Sequence, residues 1–291
     1  MCERDDLTKM TSDHSWSATR RTFVAMTLAG MSTLAGCAPV DAGGDDLIES
    51  MVTIDTPDGT MDAFFVHPAK GRHPAILTWP DIAGLRDAFM VMARRLASQG
   101  YAVLVANPYY RALKAPQFAD FASFRAENGF QKVADMRAAL TADAVMRDAG
   151  ALVAWLDGQG AVDTARGIGT HGYCMGGPFT VFTAAAVPGR VRAASSLHGG
   201  GLVKEADPQS PHRLLNSTEA GYLFAIAQDD DAKEPEAKTV LRAFAEQADV
   251  PAEVEVYAAD HGWTVIDSPA YAEAEAERAW ARMSALFSER L

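Results

Sequence analysis

One short run, "GIGTHGYCMGGPFTVF" from Gly167 to Phe182, restricts what this chain can fold into more than any other. A small, apolar stretch leads into a glycine-flanked cysteine, and an apolar stretch opening on Pro178 follows. Gly172-Tyr173-Cys174-Met175-Gly176 has the G-x-S-x-G spacing of a nucleophile elbow, with Cys in place of Ser. At such an elbow a strand turns at once into a helix. The central residue takes strained backbone, and its neighbours have no room for Cβ atoms. The helix that follows aims its positive N-terminus at the sulfur and favours thiolate. A buried structural cysteine is the competing explanation. The strand before and the helix after favour a nucleophile.

The rest of the chain supplies the architecture that such an elbow requires. "MVTIDTPDGTMDAFFVHP" reads as two short strands around a Pro-Asp-Gly turn. "HPAILTWP" and "YAVLVANP" are compact apolar runs, read as buried strands. Between them, Phe89, Met92 and Leu96 fall on one face of a helix that ends at a glycine. Residues Tyr110 to Asp135 lack clean periodicity and read as a helical insertion or cap. Strands then alternate with helices through "VRAASSLHGG", "AGYLFAIAQDDD" and "AEVEVYAADHG". The tail places Trp280, Met283 and Phe287 on the docking face of a last helix. This alternation predicts an α/β fold, a mainly parallel sheet with helices on both faces. Ligands of such sheets sit at the carboxyl ends of the strands. With 291 residues, 48% of them hydrophobic, the chain can build one large domain over residues 47–291.

A thiol nucleophile needs a base, and the base needs an orienting group. Asp229-Asp230-Asp231 follow one strand, and His261 follows the last. Nucleophile, acid, histidine is the chain order of α/β-hydrolases. His261 is the candidate base and Asp230 the candidate orienting acid, with Asp231 the alternative.

"GYCMGG", "PDIAGLR", "PYYR", "LHGGGL", "SPH" and "ADHGW", in that set, resemble the dienelactone hydrolase family over roughly residues 50 to 291. The resemblance implies an α/β-hydrolase fold and a Cys-Asp-His triad at Cys174, Asp230 and His261. It implies hydrolysis of a carboxylic ester or lactone through a thioester, with no cofactor. The backbone amides of Ile82 and Met175 would hold the oxyanion. An accessory acid near the resting thiol would be Asp81, where the family has Glu. Tyr110, Arg111, His198 and Trp263 are further candidates for the substrate pocket, with Tyr109 beside them. The family's arginine shortly after the catalytic histidine, which grips a substrate carboxylate, has no counterpart in "HGWTVIDSPAY". The chemistry therefore carries over and the family's namesake substrate does not. His171 is expected to support the turn, and His67, His73 and His212 to lie on the surface.

Outside this domain, residues 1–46 read as an export signal and flexible tether. Arg20-Arg21, an apolar run and "LAGC" ending at Cys37 follow one another. "TRRTF" resembles a twin-arginine signal and "LAGC" a bacterial lipobox. The resemblance implies lipidation of Cys37 and a location in the periplasm or at the outer membrane, with a membrane contact through that anchor. Met10 is an alternative start. Of the three cysteines, processing removes Cys2 and lipidation uses Cys37, which leaves Cys174 without a disulfide partner. A formal charge of −12 argues against nucleic acid as a partner. No metal-ligand set stands out. The same triad also fits a thiol acyltransferase or amidase, and a catalytically silent binding lipoprotein is the rival from another class.

Overall fold

The computed structural model describes residues 46–291. The expected export signal with Arg20-Arg21 and the lipidation candidate Cys37 lie outside the described residues. In chain order the elements are β1 (Leu47–Thr56), β2 (Gly59–Pro68), β3 (Ala75–Trp79), α1 (Asp87–Ala97) and β4 (Ala102–Ala106). Three short helices follow: α2 (Phe121–Ala126), α3 (Gly129–Lys132) and α4 (Ala134–Ala138). Then come α5 (Ala142–Asp157), β5 (Ile168–Tyr173), α6 (Gly177–Ala186), β6 (Val191–Leu197) and α7 (Pro211–Leu214). The chain continues with β7 (Gly221–Ala227), α8 (Gln228–Lys233), α9 (Ala237–Gln247), β8 (Ala252–Tyr257) and α10 (Glu273–Arg290).

Among the described residues, eight strands form one sheet in the order β1-β2-β4-β3-β5-β6-β7-β8. β1 and β2 pair antiparallel, with Pro57 and Asp58 between the paired residues Thr56 and Gly59. β2 is also antiparallel to β4, and every pairing from β4 to β8 is parallel. The fold is the α/β-hydrolase type, a mostly parallel sheet sandwiched by helices. Side chains of β4 show how the sandwich is filled. Val103 and Val105 join a core cluster with Phe89, Met92 and Leu96 of α1 and Trp280, Met283 and Phe287 of α10. Ala102, Leu104 and Ala106 face the other way, into a cluster with Val145, Leu152 and Leu156 of α5. The alternation is the two-residue period of a strand covered on both faces.

The cap expected at 110–135 is the α2–α4 segment, running on to Ala138. Its aromatic residues hold it together: the Phe124 ring lies 5.1 Å from Phe118, 5.3 Å from Phe121 and 4.8 Å from Phe130. One surface expectation needs correction. His212 is 2% exposed, its ring edge-on to Phe244 at 4.6 Å and bonded to Ser210. The loop after β6 folds back under α9, which a count of charges and spacings does not show. Among the described residues no helix is long and apolar enough to cross a membrane.

Candidate active site

β5 lies between β3 and β6, so its carboxyl end opens at the middle of the sheet. Cys174 is the first residue past that end, at φ 52°, in the left-handed region. For a non-glycine residue this conformation costs about 1–2 kcal/mol, the kind of strain that clusters at functional sites. The elbow glycines are sterically required. A Cβ on Gly172 would overlap the carbonyl oxygen of Gly176, and one on Gly176 would overlap the carbonyls of Trp79 and Pro80. The strand, the turn and the loop after β3 are thus packed backbone to backbone. Cys174 is 8% exposed and stands at the threshold of α6.

His261 follows β8 and faces the end of β7. Its Nδ1 lies 2.6 Å from Asp230 Oδ2, and its backbone N–H donates to Asp229 Oδ1 at 2.7 Å. Asp231 turns away to Lys238 at 2.6 Å. The three consecutive acids open α8, so each points in a different direction. Asp230 alone of the three takes the imidazole.

His198, just past β6, is 1% exposed and takes φ 41°. The backbone N–H of Cys174 donates to its Nδ1 at 3.1 Å. Its Nε2 lies 2.9 Å from Thr264 Oγ1. Its ring sits 4.9 Å from the His261 ring and 5.2 Å from the Trp263 ring. Burial, assisted by the neighbouring His261, pushes its pKa well below the ordinary histidine value, so the ring is neutral. Trp263, expected in the pocket, is fully buried and stacks on Tyr257 at 5.3 Å. It is the wall behind His198. His171 lies beneath the elbow, between Thr78 at 2.7 Å and the Tyr173 hydroxyl at 3.0 Å, as a support for the turn requires.

The loop after β3 carries Ile82, and its peptide to Ala83 is held at both ends. The Ile82 carbonyl accepts from the Tyr109 hydroxyl at 2.8 Å, and the Ala83 N–H donates to Asp81 Oδ1 at 2.9 Å. The same Tyr109 hydroxyl touches Met175 Sδ at 3.3 Å, which brings the two oxyanion candidates together. Burial pushes the Tyr109 pKa upward, so the hydroxyl keeps its proton to donate.

Asp81 is placed differently from the accessory acid that the resemblance implies. Both of its oxygens meet Arg86, Oδ1 to Nη1 at 2.7 Å and Oδ2 to Nη2 at 2.9 Å. Arg86 is fully buried and also grips Asp267 through Nε and Nη2, each at 2.7 Å. Burial opposes its charge, but Asp81 and Asp267 outweigh that and hold its pKa above the ordinary arginine value. Asp267 Oδ2 also accepts the backbone N–H of Phe121 at 3.0 Å, at the start of the cap. One guanidinium therefore ties together the Ile82 loop, the loop after His261 and the cap.

Tyr110 and Arg111 are likewise drawn off into structure. The Tyr110 hydroxyl sits between Thr56 and Asp148, each at 2.7 Å. Arg111 pairs with Asp148 at 2.8 Å and Asp58 at 2.7 Å. That cluster staples the β1–β2 turn to α5. Tyr109 is the member of the pair that reaches the site. Arg86 left one trace in the sequence: it stands at the N-terminus of α1, where a cation is unfavourable unless paired. Thr264 left none. Among the described residues no group of three or more His, Cys, Asp or Glu is arranged to hold a metal ion.

Comparison with known proteins agrees with this fold. The sequence profile of the dienelactone hydrolase family matches residues 61–291. A Methylorubrum extorquens protein named "Putative carboxymethylenebutenolidase" is 28% identical over 283 residues, covering 93% of this chain and 92% of its own length. An Escherichia coli K12 protein of the same name is 25% identical, covering 86% and 90%. Among solved structures, a "Putative Dienelactone Hydrolase" from Klebsiella pneumoniae has the same fold at a TM-score of 0.71 and 24% identity, covering 84% of this chain and 99% of its own. A dienelactone hydrolase-like promiscuous phosphotriesterase, P91, from metagenomic libraries follows at 0.62 and 22%, covering 83% and 98%. With its elbow, its fold and a family match running to the last residue, the chain belongs to the dienelactone hydrolase family and is a hydrolase.

Proposed function

We propose that the protein hydrolyses a neutral carboxylic ester or lactone through a Cys174-His261-Asp230 triad. The observation that carries this reading is the 2.6 Å contact of His261 with Asp230, beside an elbow that holds Cys174 at φ 52°. Asp230 accepts the Nδ1–H of His261 and leaves Nε2 to move protons. His261 Nε2 takes the thiol proton as Cys174 Sγ attacks the acyl carbonyl. The amides of Ile82 and Met175 hold the negative charge that develops on the carbonyl oxygen. Collapse breaks the acyl–oxygen bond. The leaving alkoxide receives the proton from His261, and a Cys174 thioester remains. His261 then takes a proton from water as its oxygen attacks the thioester. The acid is released, and the proton returns to sulfur.

The preference for a neutral substrate rests on the pairing of Arg86 and Arg111. Arg86 is matched by Asp81 and Asp267, and Arg111 by Asp58 and Asp148. Neither is available to a substrate carboxylate without exposing a buried acid. The proposal also places the enzyme outside the cytoplasm, held by a lipid on Cys37. Palmitate labelling tests that part, with unchanged precursor mass in Cys37→Ser as the result against it.

The test of the chemistry is a panel of p-nitrophenyl esters and small lactones, with the reaction quenched during turnover. The expected result is an acyl adduct on the peptide containing Cys174. Turnover with the adduct on another residue, or with none, overturns the mechanism.

A further inference from the structure

We propose that His198 is a positioning residue that holds the Cys174 backbone and the His261 ring in register, as a neutral imidazole whose tautomer is set by Thr264. The inference rests on Cys174 being the nucleophile.

The tautomer follows from one hydrogen bond. A backbone N–H can only donate, so at 3.1 Å the Nδ1 of His198 must present its lone pair to Cys174. The proton of the neutral ring is then on Nε2, and it donates to Thr264 Oγ1 at 2.9 Å. Thr264 is itself buried. The opposite tautomer would set an N–H of the ring against the N–H of Cys174. Thr264 thus decides whether the elbow amide has an acceptor.

The same ring meets His261 at 4.9 Å and 63°, with Trp263 behind it at 5.2 Å. His261 is fixed to Asp230 at one edge, and the contact with His198 limits how far it tilts about that hinge. Tyr173 also packs nearby, its ring 6.1 Å away. One rigid side chain therefore touches the backbone of the nucleophile and the ring of its base. The backbone points the same way. At φ 41° His198 occupies the left-handed region, uncommon for a residue with a β-carbon and held only where the surrounding structure fixes it. A ring that merely filled space would need its shape and not its acceptor.

Acceptor chemistry and shape can be separated in the full chain. Thr264→Val keeps the volume and removes the partner of Nε2. The expected result is a fall in kcat of about tenfold with KM changed by less than about twofold, the size of one lost buried hydrogen bond. The pH midpoint for iodoacetamide alkylation of Cys174, read on its own peptide by mass spectrometry, should move upward. Cys174, His261 and Tyr173 are the titratable residues that the His198 ring meets, with Asp230 one step beyond on His261. Thr264→Ser, which restores the hydroxyl, should return both readouts to near wild type. In a second pair, His198→Asn puts an oxygen where Nδ1 was and suits left-handed backbone, while His198→Phe keeps the ring and loses the acceptor. Asn should exceed Phe in kcat by about fivefold or more. Wild-type kcat and alkylation midpoint in Thr264→Val, or Phe outperforming Asn, overturns the proposal. If His198→Phe does not fold by circular dichroism, the Thr264 pair decides alone. Cys174→Ala is the control. Turnover surviving in it overturns the nucleophile, whereas an inactive Cys174→Ala beside an unaffected Thr264→Val overturns only the role of His198.

Discussion

The imidazole of His261 meets the carboxylate of Asp230 at 2.6 Å, while Asp231 one residue on is bound to Lys238. The two acids should therefore separate cleanly in kinetics. Asp230→Asn can no longer hold the Nδ1–H tautomer, and kcat should fall by roughly a thousandfold or more. Asp231→Asn loses a partly exposed ion pair, worth about 0–1 kcal/mol, and kcat should stay within about twofold. Steady-state hydrolysis of one p-nitrophenyl ester by both variants is the measurement.

Cys174→Ala should abolish covalent turnover, with activity down by at least roughly a thousandfold, since the oxyanion amides alone support only residual catalysis. The melting temperature should move by only a few degrees, consistent with about 1 kcal/mol at an elbow whose backbone packing is untouched. Cys174→Ser should keep weak activity at most. A serine hydroxyl is a weaker nucleophile than a thiol in the same place.

Arg86 is a stability prediction as much as a functional one. Arg86→Leu leaves Asp81 buried without its cation and frees Asp267 from its main partner. Breaking a buried pair from one side costs about 3–5 kcal/mol. Urea denaturation should show that loss in the midpoint. The double variant with Asp81→Asn, which removes the stranded charge, should recover part of it.

Stability should fall as the solution is acidified below neutrality. Burial pushes His171 down to about 3, and burial with His261 nearby pushes His198 well below the ordinary value. Both take up a proton near pH 6.5 only when unfolded. The unfolded chain then holds more protons than the folded one. The stabilisation is complete above pH 6.5 and is lost as pH drops toward the folded values, by at most about 2.7 kcal/mol per pH unit for the two together. Between pH 7.5 and 5.5 the loss should be about 3 kcal/mol. Denaturant titrations at the two pH values measure it, and His171→Gln should remove about half.

Neutral esters and lactones should be preferred to carboxylate-bearing lactones by at least about tenfold in kcat/KM, the worth of one missing charge-assisted contact. The comparison is made on substrates matched in the reacting group. A reversed preference would show that a cation binds the substrate carboxylate, and Arg137, within electrostatic range of Tyr109, is the first to test.

Much of this layout was legible before any coordinates. Alternation of apolar runs with glycine- and proline-bounded helices is a chain-local signal, and it located β3 to β8 and the faces of α1 and α10. Position at a strand end placed Cys174, His261 and the three acids in one neighbourhood. Direction was harder. Tyr109 and Tyr110 are adjacent, yet one hydroxyl reaches Ile82 and the other Asp148. Whether an arginine faces a substrate or an aspartate depends on partners far along the chain, as Arg86 and Asp267 show. Asp81 carried the family position and Arg86 took its charge. Thr264 meets the site through its hydrogen bond with His198, and no spacing in the sequence connects them.

The elbow has a kinetic corollary. Gly176 packs against the backbone of Trp79 and Pro80, and the support beneath the turn joins Thr78 to His171 across 93 residues. The whole cap segment and α5 lie within that closure. Contacts so distant along the chain are made late, after the entropy of a long loop has been lost. Until then Cys174 is a flexible thiol like any other, and the positive-φ turn that buries it forms only once the centre of the sheet has closed. The accessibility of Cys174 to alkylation is therefore a clock for closure of the centre of the sheet.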